Sequence, residues 1–295
     1  MGAYFQKMDE AAAKTQDSVV EKVVARLRTV EGVVGLVLGG SRARGATQAG
    51  ADVDIGVYYR ARLRPDTAVM RMAASDLDDR DEPDGFGEYG EWGPWINGGA
   101  WLVVSGLKTD LLFPELDRVE QVLMDCEAGH VACAYQPGHP HCFVNHIYVG
   151  ELHHNVILFD PDGLLADLRR RTDPYPEPLA DALMRSFGWE SQFSLQTAHA
   201  AARRGDVTYV CGCLFRAVAC MAQALFAANR SYLLNEKGAV AAVDRLPRRP
   251  DSFSTRVAAA LCHIGETDFE LQEALAQVSE LQRETAAILV EFTRR

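Results

Sequence analysis

Asp52 and Asp54, two residues apart, are the side chains whose type and spacing point most directly to chemistry. They lie in Asp52-Val-Asp-Ile-Gly-Val-Tyr58, where the alternation suits a strand and a period of two sends both carboxylates to one face. Paired carboxylates suit a hard cation. Upstream, the apolar, β-branched run Val33 to Leu38 breaks on Gly39-Gly40-Ser41. Small residues there let backbone amides approach an anion, and Ser41 can cap a following helix. Magnesium takes oxygen ligands and is usually held by one or two carboxylates plus substrate phosphates. An anion-gripping turn beside an Asp-x-Asp strand therefore has the layout of a nucleoside triphosphate site.

The motif Gly39-Gly-Ser-Arg-Ala-Arg-Gly45, 10 residues between Ser41 and Asp52, and Asp-x-Asp together resemble the signature of the nucleotidyltransferase superfamily typified by DNA polymerase beta. Antibiotic nucleotidyltransferases are among its members. Ala51 stands where the family often has Ser, a departure that leaves both ligands in place. The superfamily uses a third carboxylate on a later strand, and Leu107-Lys-Thr-Asp-Leu-Leu-Phe113 supplies Asp110 for it. The resemblance implies two magnesium ions held by Asp52, Asp54 and Asp110. It also implies a nucleoside triphosphate, expected to be ATP, contacted by Gly39, Gly40, Ser41 and Arg44. Leu225-Phe-Ala-Ala-Asn-Arg-Ser-Tyr232 with Asn235-Glu-Lys-Gly238 resembles the segment that presents a triphosphate-contacting lysine, here Lys237. The implied reaction is in-line attack by a hydroxyl on the α-phosphorus, releasing pyrophosphate. Asp110 is a third ligand or the base for that hydroxyl; Glu88, Glu91 and Glu151 are rival bases.

Two other motifs fail on chemistry or context. Gly40 to Thr47 has P-loop spacing, but Ala46 replaces the lysine that must reach the phosphates. Gly85-Phe-Gly-Glu-Tyr-Gly90 matches a dinucleotide fingerprint, yet no strand precedes it.

The elements that must position these groups are legible as patterns. Asp17 to Val30 reads as an amphipathic helix leading into the first strand, and Pro65 to Leu77 as a second helix. Trp101 to Val104 and Lys108 to Phe113 read as a hairpin turning at Ser105-Gly106, followed by a helix from Leu116 to Cys126. Short strand-like runs are expected at Cys142 to Val149 and Val156 to Phe159. From about Pro176 strand-like runs stop, and five helices are expected: Pro178 to Arg204, Asp206 to Asn229, Glu236 to Leu246, Phe253 to Ile264 and Glu270 to Arg294. The fold class is α+β, with a mixed-sheet nucleotidyltransferase domain over 1–175 and a helical bundle over 176–295. In antibiotic-modifying members such a helical domain closes the cleft.

Residues 78–99 form a loop too long for a simple connector. Phe86, Tyr89, Trp92 and Trp95, interleaved with Glu88 and Glu91, either stack on a base or sugar and contact a polar ligand, or pack over the sheet edge. The loop holds Asp78, Asp79, Asp81, Glu82, Asp84, Glu88 and Glu91 against Arg80. With a net charge of −11 over 295 residues, this favours a cationic small-molecule acceptor and disfavours nucleic acid. The resemblance narrows the acceptor to an aminoglycoside or lincosamide type of antibiotic. Transfer of AMP to a protein or RNA, and a non-catalytic nucleotide-binding regulator, are the alternatives. No targeting pattern is read in Met1 to Gln16, so a cytoplasmic protein is expected, and Val207 to Ala228 reads as a buried helix rather than a membrane span. The seven cysteines, odd in number and irregularly spaced, are expected to be reduced. Six of eight histidines fall between His130 and His154, in a spacing that matches no metal-ligand template.

Overall fold

The computed structural model describes residues 16–40, 52–80 and 85–293. The chain divides into two compact units: Met1–Leu123 with Tyr148–Asp173, and Met124–Ile147 with Pro174–Arg295. Residues 124–147, on the first-domain side of the boundary drawn at 175, thus belong to the helical unit.

In the first unit, helix α1 (16–27) precedes strands β1 (Val33–Leu38) and β2 (Val53–Tyr59). Helix α2 (Thr67–Leu77), hairpin strands β3 (Gly99–Val104) and β4 (Leu107–Leu112), and helix α3 (Leu116–Glu127) follow. After a small hairpin, β5 (Cys133–Ala134) and β6 (Phe143–Val144), come α4 (Ile147–His154), β7 (Val156–Phe159) and α5 (Leu164–Arg170). The sheet order is β3-β4-β2-β1-β7, with β2 and β4 parallel and the other neighbours antiparallel. A parallel pair needs a long crossover, and α2 with β3 supplies it.

Alternation decides what each face carries. Leu36, Val53, Ile55, Val57, Leu102 and Leu111 are buried on one face against Val19, Val23 and Leu27 of α1 and Met70, Ala73 and Leu77 of α2. Asp66 starts α2 by accepting the Ala68 and Val69 amides at 2.8 and 3.1 Å. The opposite face carries Asp54, Gly56 and Tyr58 of β2. At Gly35 a Cβ would come within 2.5 Å of Leu165 Cδ1, so α5 packs down on that end of the face. The expected strand over 142–149 is confined to Phe143–Val144, and 147–154 is helical. Ile147, Tyr148, Val149, Gly150 and Leu152 are all buried there, so the run carries no one-faced helical pattern that the sequence could show.

The second unit is built on α6 (Glu177–Ala202), α7 (Val207–Ala228), α8 (Ala239–Val243), α9 (Phe253–Cys262) and α10 (Asp268–Thr293). Leu195, Leu214, Met221, Leu225, Phe253, Leu275 and Val278 lie in one core. Helix α7 is long and apolar enough to cross a membrane by length and composition, yet 61% of its most apolar window is buried within the protein.

The 78–99 loop is tied to the hairpin by its acidic start. Asp78, its side chain fully buried, accepts Arg80 Nε and Nη2 at 3.0 and 2.9 Å and the Val103 amide at 3.3 Å. Asp79 accepts the Ser105 and Gly106 amides at 3.1 and 2.7 Å, pinning the β3–β4 turn. Burial raises the Asp78 carboxyl, but the Arg80 side chain with the Arg80 and Val103 amides outweighs it and holds it below the usual carboxylate range. A depressed folded-state pKa gives stability that is present above the unfolded value and lost as pH falls through the folded one. Asp78→Asn should therefore cost about 1–3 kcal/mol at neutral pH. That cost should shrink only as pH falls below the ordinary Asp value of about 3.9 and on toward the lower one of the folded protein. Urea midpoints at neutral and acid pH check this: an equal loss at both would mean that Asp78 acts through shape and not charge.

Candidate active site

Asp54 of β2 and Asp110 of β4 are register partners on neighbouring parallel strands. Adjacent strands lie about 4.8 Å apart, so the two half-buried carboxylates leave the same face one strand spacing from each other. Asp52 lies just before the first residue of β2 and is exposed. Among the described residues no group of three or more His, Cys, Asp or Glu is placed to hold a metal ion. Of the three carboxylates, Asp54 and Asp110 are register partners, and Asp52 stands one residue before that ladder.

The end of β1 sits over this pair. The Gly39 amide donates to the Asp54 carbonyl at 2.9 Å. That amide, expected to face phosphate, is instead committed to holding β1 against β2. Gly40 has φ +67°, and a Cβ there would lie 1.8 Å from Asp54 Oδ2. Only glycine lets the turn come this close to the carboxylate. Ser41 and Arg44 lie outside the described residues.

Trp101 is the neighbour that the sequence reading passed over. It pairs with Asp110 across β3 and β4, so Trp101, Asp110 and Asp54 form a row on one face of three adjacent strands. The signal was available. A two-residue turn at Ser105-Gly106, with φ of 51° and 79°, fixes the hairpin register, and counting back from it sets Trp101 opposite Asp110. Trp101 is 52% exposed and stacks on Trp92 at 5.0 Å between ring centroids.

Trp92 in turn lies against Gly87 and Gly99, where a Cβ would meet its ring at 2.0 and 2.8 Å. Tyr89 packs on Tyr59 and Phe113, Phe86 on Phe113, and Trp95 on Tyr148, with Arg118 over the Trp95 ring at 4.4 Å. These aromatics thus pack over the sheet edge. Glu88 lies 3.5 Å from Arg71, and Glu91 accepts the Glu88 amide at 2.8 Å. Both border an open cleft of about 430 Å³ with Arg71, Phe86, Tyr89 and Gly90. Asp81, Glu82 and Asp84 lie outside the described residues, and Asp78 and Asp79 are spent on the hairpin. The described start of the loop is thus braced on the hairpin, while Glu88 and Glu91 stay exposed at the cleft. Glu151, on α4, is exposed; its charge and above all burial push the Tyr58 hydroxyl up. Lys237 belongs to the second unit, where it is exposed and its amide donates to Asn235 Oδ1 at 2.6 Å.

An oxygen-only pair of carboxylates, half-buried on an open strand face, fits a hard divalent cation that completes its shell with phosphate oxygens and water. Residues 20–92 match the family described as Nucleotidyltransferase domain, and residues 144–237 match a Domain of unknown function, DUF4037. No curated protein matches the chain. Among solved structures, a nucleotidyltransferase-like protein from Exiguobacterium sibiricum 255-15 is similar at 13% identity and a TM-score of 0.43. That similarity covers 97% of this chain and 80% of the other. Such a domain implies a nucleoside triphosphate co-substrate and typically a divalent metal. The match over residues 20–92 supports the activity class of a transferase, a nucleotidyltransferase.

Proposed function

We propose that the protein transfers a nucleoside monophosphate from a nucleoside triphosphate, ATP by preference, to a hydroxyl of a small cationic acceptor of the aminoglycoside or lincosamide type. The observation that carries this reading is the Asp54–Asp110 register pair beneath the Gly39–Gly40 turn. Asp54 and Asp110 would hold magnesium, which would neutralise the phosphate charge during displacement. Asp110, between Asp54 and the exposed Trp101, is also the carboxylate best set to take the proton of the attacking hydroxyl. Trp101 with Trp92 offers a flat apolar wall beside that position, and the turn at Gly39–Gly40 limits how the nucleotide can approach. Catalysis would rest on positioning and charge stabilisation. Support for a cationic acceptor comes from the net charge of −11 more than from the 78–99 loop.

Incubation with ATP, magnesium and a panel of hydroxyl-bearing aminoglycosides and lincosamides, read by mass spectrometry, tests the reading. The expected result is one or more acceptors heavier by a nucleoside monophosphate, with pyrophosphate released and no product in the presence of EDTA. If no panel member is modified while a protein or RNA becomes labelled, the small-molecule assignment falls and macromolecular transfer replaces it.

A further inference from the structure

The second unit holds a pair of thiols that nucleotidyl transfer does not use. The β5–β6 hairpin sets Cys133 opposite Val144 and Ala134 opposite Phe143, so Cys142, two residues from Val144, leaves the same face on the diagonal from Cys133. The two side chains open on a cleft of about 270 Å³ lined also by Tyr135, His139, Pro140 and His141. That volume admits the end of a small molecule.

Behind the pair lies fixed positive charge. Arg216 donates from Nη1 to His141 Nδ1 at 3.0 Å and from Nε to Glu190 at 2.6 Å. His141 is buried, and its Nδ1 accepts from the guanidinium. Of the other described cysteines, Cys126 and Cys220 are buried, Cys211 and Cys213 half-buried and Cys262 exposed.

We propose that Cys133 and Cys142 form a redox-active dithiol whose substrate is a low-molecular-weight disulfide entering this cleft. The Cys142 thiolate attacks one sulfur of the disulfide and displaces the first small thiolate, which takes up a proton. Cys133 then loses its proton and attacks the Cys142 sulfur of the mixed disulfide, displacing the second small thiol and closing the Cys133–Cys142 bond. The two cysteines give up two electrons and two protons, and the small disulfide takes both to become two thiols.

The electrostatics assign the order of attack. Although burial opposes it, the Cys133 thiol with His141 and Arg216 pulls the Cys142 thiol well below its ordinary range, while Cys133 is pushed up. A thiolate is the attacking species, and a sulfur of low pKa is also the better leaving group, so the Cys133–Cys142 bond should be readily reduced again. By contrast, burial pushes Cys126 up to about 12, so it should stay inert.

The test uses the reduced full-length protein and glutathione disulfide as probe, with peptide mass mapping after alkylation. The wild type should lose two hydrogens as an internal Cys133–Cys142 disulfide that dithiothreitol reverses. Cys133→Ser should stop at a glutathione adduct on Cys142, and Cys142→Ser should leave Cys133 unmodified. Iodoacetamide labelling of the untreated wild type near pH 6 should reach Cys142 about tenfold or more faster than exposed Cys262. Equal labelling of Cys142 and Cys262, or oxidation that spares the Cys133–Cys142 pair, would overturn the proposal even if neither variant folds.

Discussion

Replacing Asp54 or Asp110 by asparagine is expected to lower kcat/KM for nucleotidyl transfer by about 10²- to 10³-fold, the cost of removing one preorganised charge from the site of phosphoryl displacement. Each substitution keeps shape and removes a charge. The fold should hardly notice: both side chains are half-buried on the open face, away from the core of Leu36, Ile55, Val57 and Leu111. Like charges set directly opposite across two strands repel, so either variant should be as stable as the wild type or more stable by about 0.2–1 kcal/mol without metal. Ligand-linked stabilisation should move the other way. ATP with magnesium at 100 times its dissociation constant should raise wild-type stability by about 2.7 kcal/mol, and much of that rise should vanish in Asp54→Asn. Paired melting curves, with and without nucleotide and metal, separate the two effects. A variant that keeps full activity and the full ligand-induced shift would remove the pair from the site. Asp52→Asn is the instructive control: a residue exposed before the ladder should cost less than either register partner.

What the sequence made legible follows from what is local. Alternation in Val53–Tyr59 and a two-residue turn at Ser105-Gly106 are written in adjacent residues, so strands, hairpin and fold class could be read from pattern. The parallel pairing of β2 with β4 is not local. That Asp110 belongs beside Asp54 came from a family resemblance, and the structure supplies the register. The partners of the acids that open the 78–99 loop are not local either. Asp78 is buried and Asp79 exposed, and their oxygens accept from Arg80, Val103, Ser105 and Gly106, all but one of them more than 20 residues away. The 147–154 segment misled in the opposite direction. Its apolar, β-branched residues suit a strand, but residues 147–150 and 152 are buried in a helix, and a run buried nearly all round shows no period to tell the two apart.

Gly40→Ala is expected to be nearly as damaging to transfer as loss of the carboxylate itself, although it adds a single methyl group. Two costs combine. At φ +67° a residue with a Cβ is strained by about 1–2 kcal/mol, and the new Cβ would lie 1.8 Å from Asp54 Oδ2 and 2.8 Å from its Cγ. The carboxylate must swing away, and a displacement of about 1 Å in a positioned group can cost about 10²-fold in rate. Gly39→Ala is the contrast: its nearest neighbours would be Asp54 Cβ and the Asp54 carbonyl oxygen at 3.9 Å, an ordinary contact, so activity should stay within a few-fold. Backbone strain and collision can be told apart with a second substitution. In an Asp54→Ala background the colliding oxygen is gone, so Gly40→Ala should cost only the strain of its backbone. The two changes should therefore be non-additive in the melting temperature, with a coupling of about 0.5–3 kcal/mol, as for residues in direct contact. Additive losses would mean that Gly40 serves the turn alone and does not set the position of the Asp54 carboxylate.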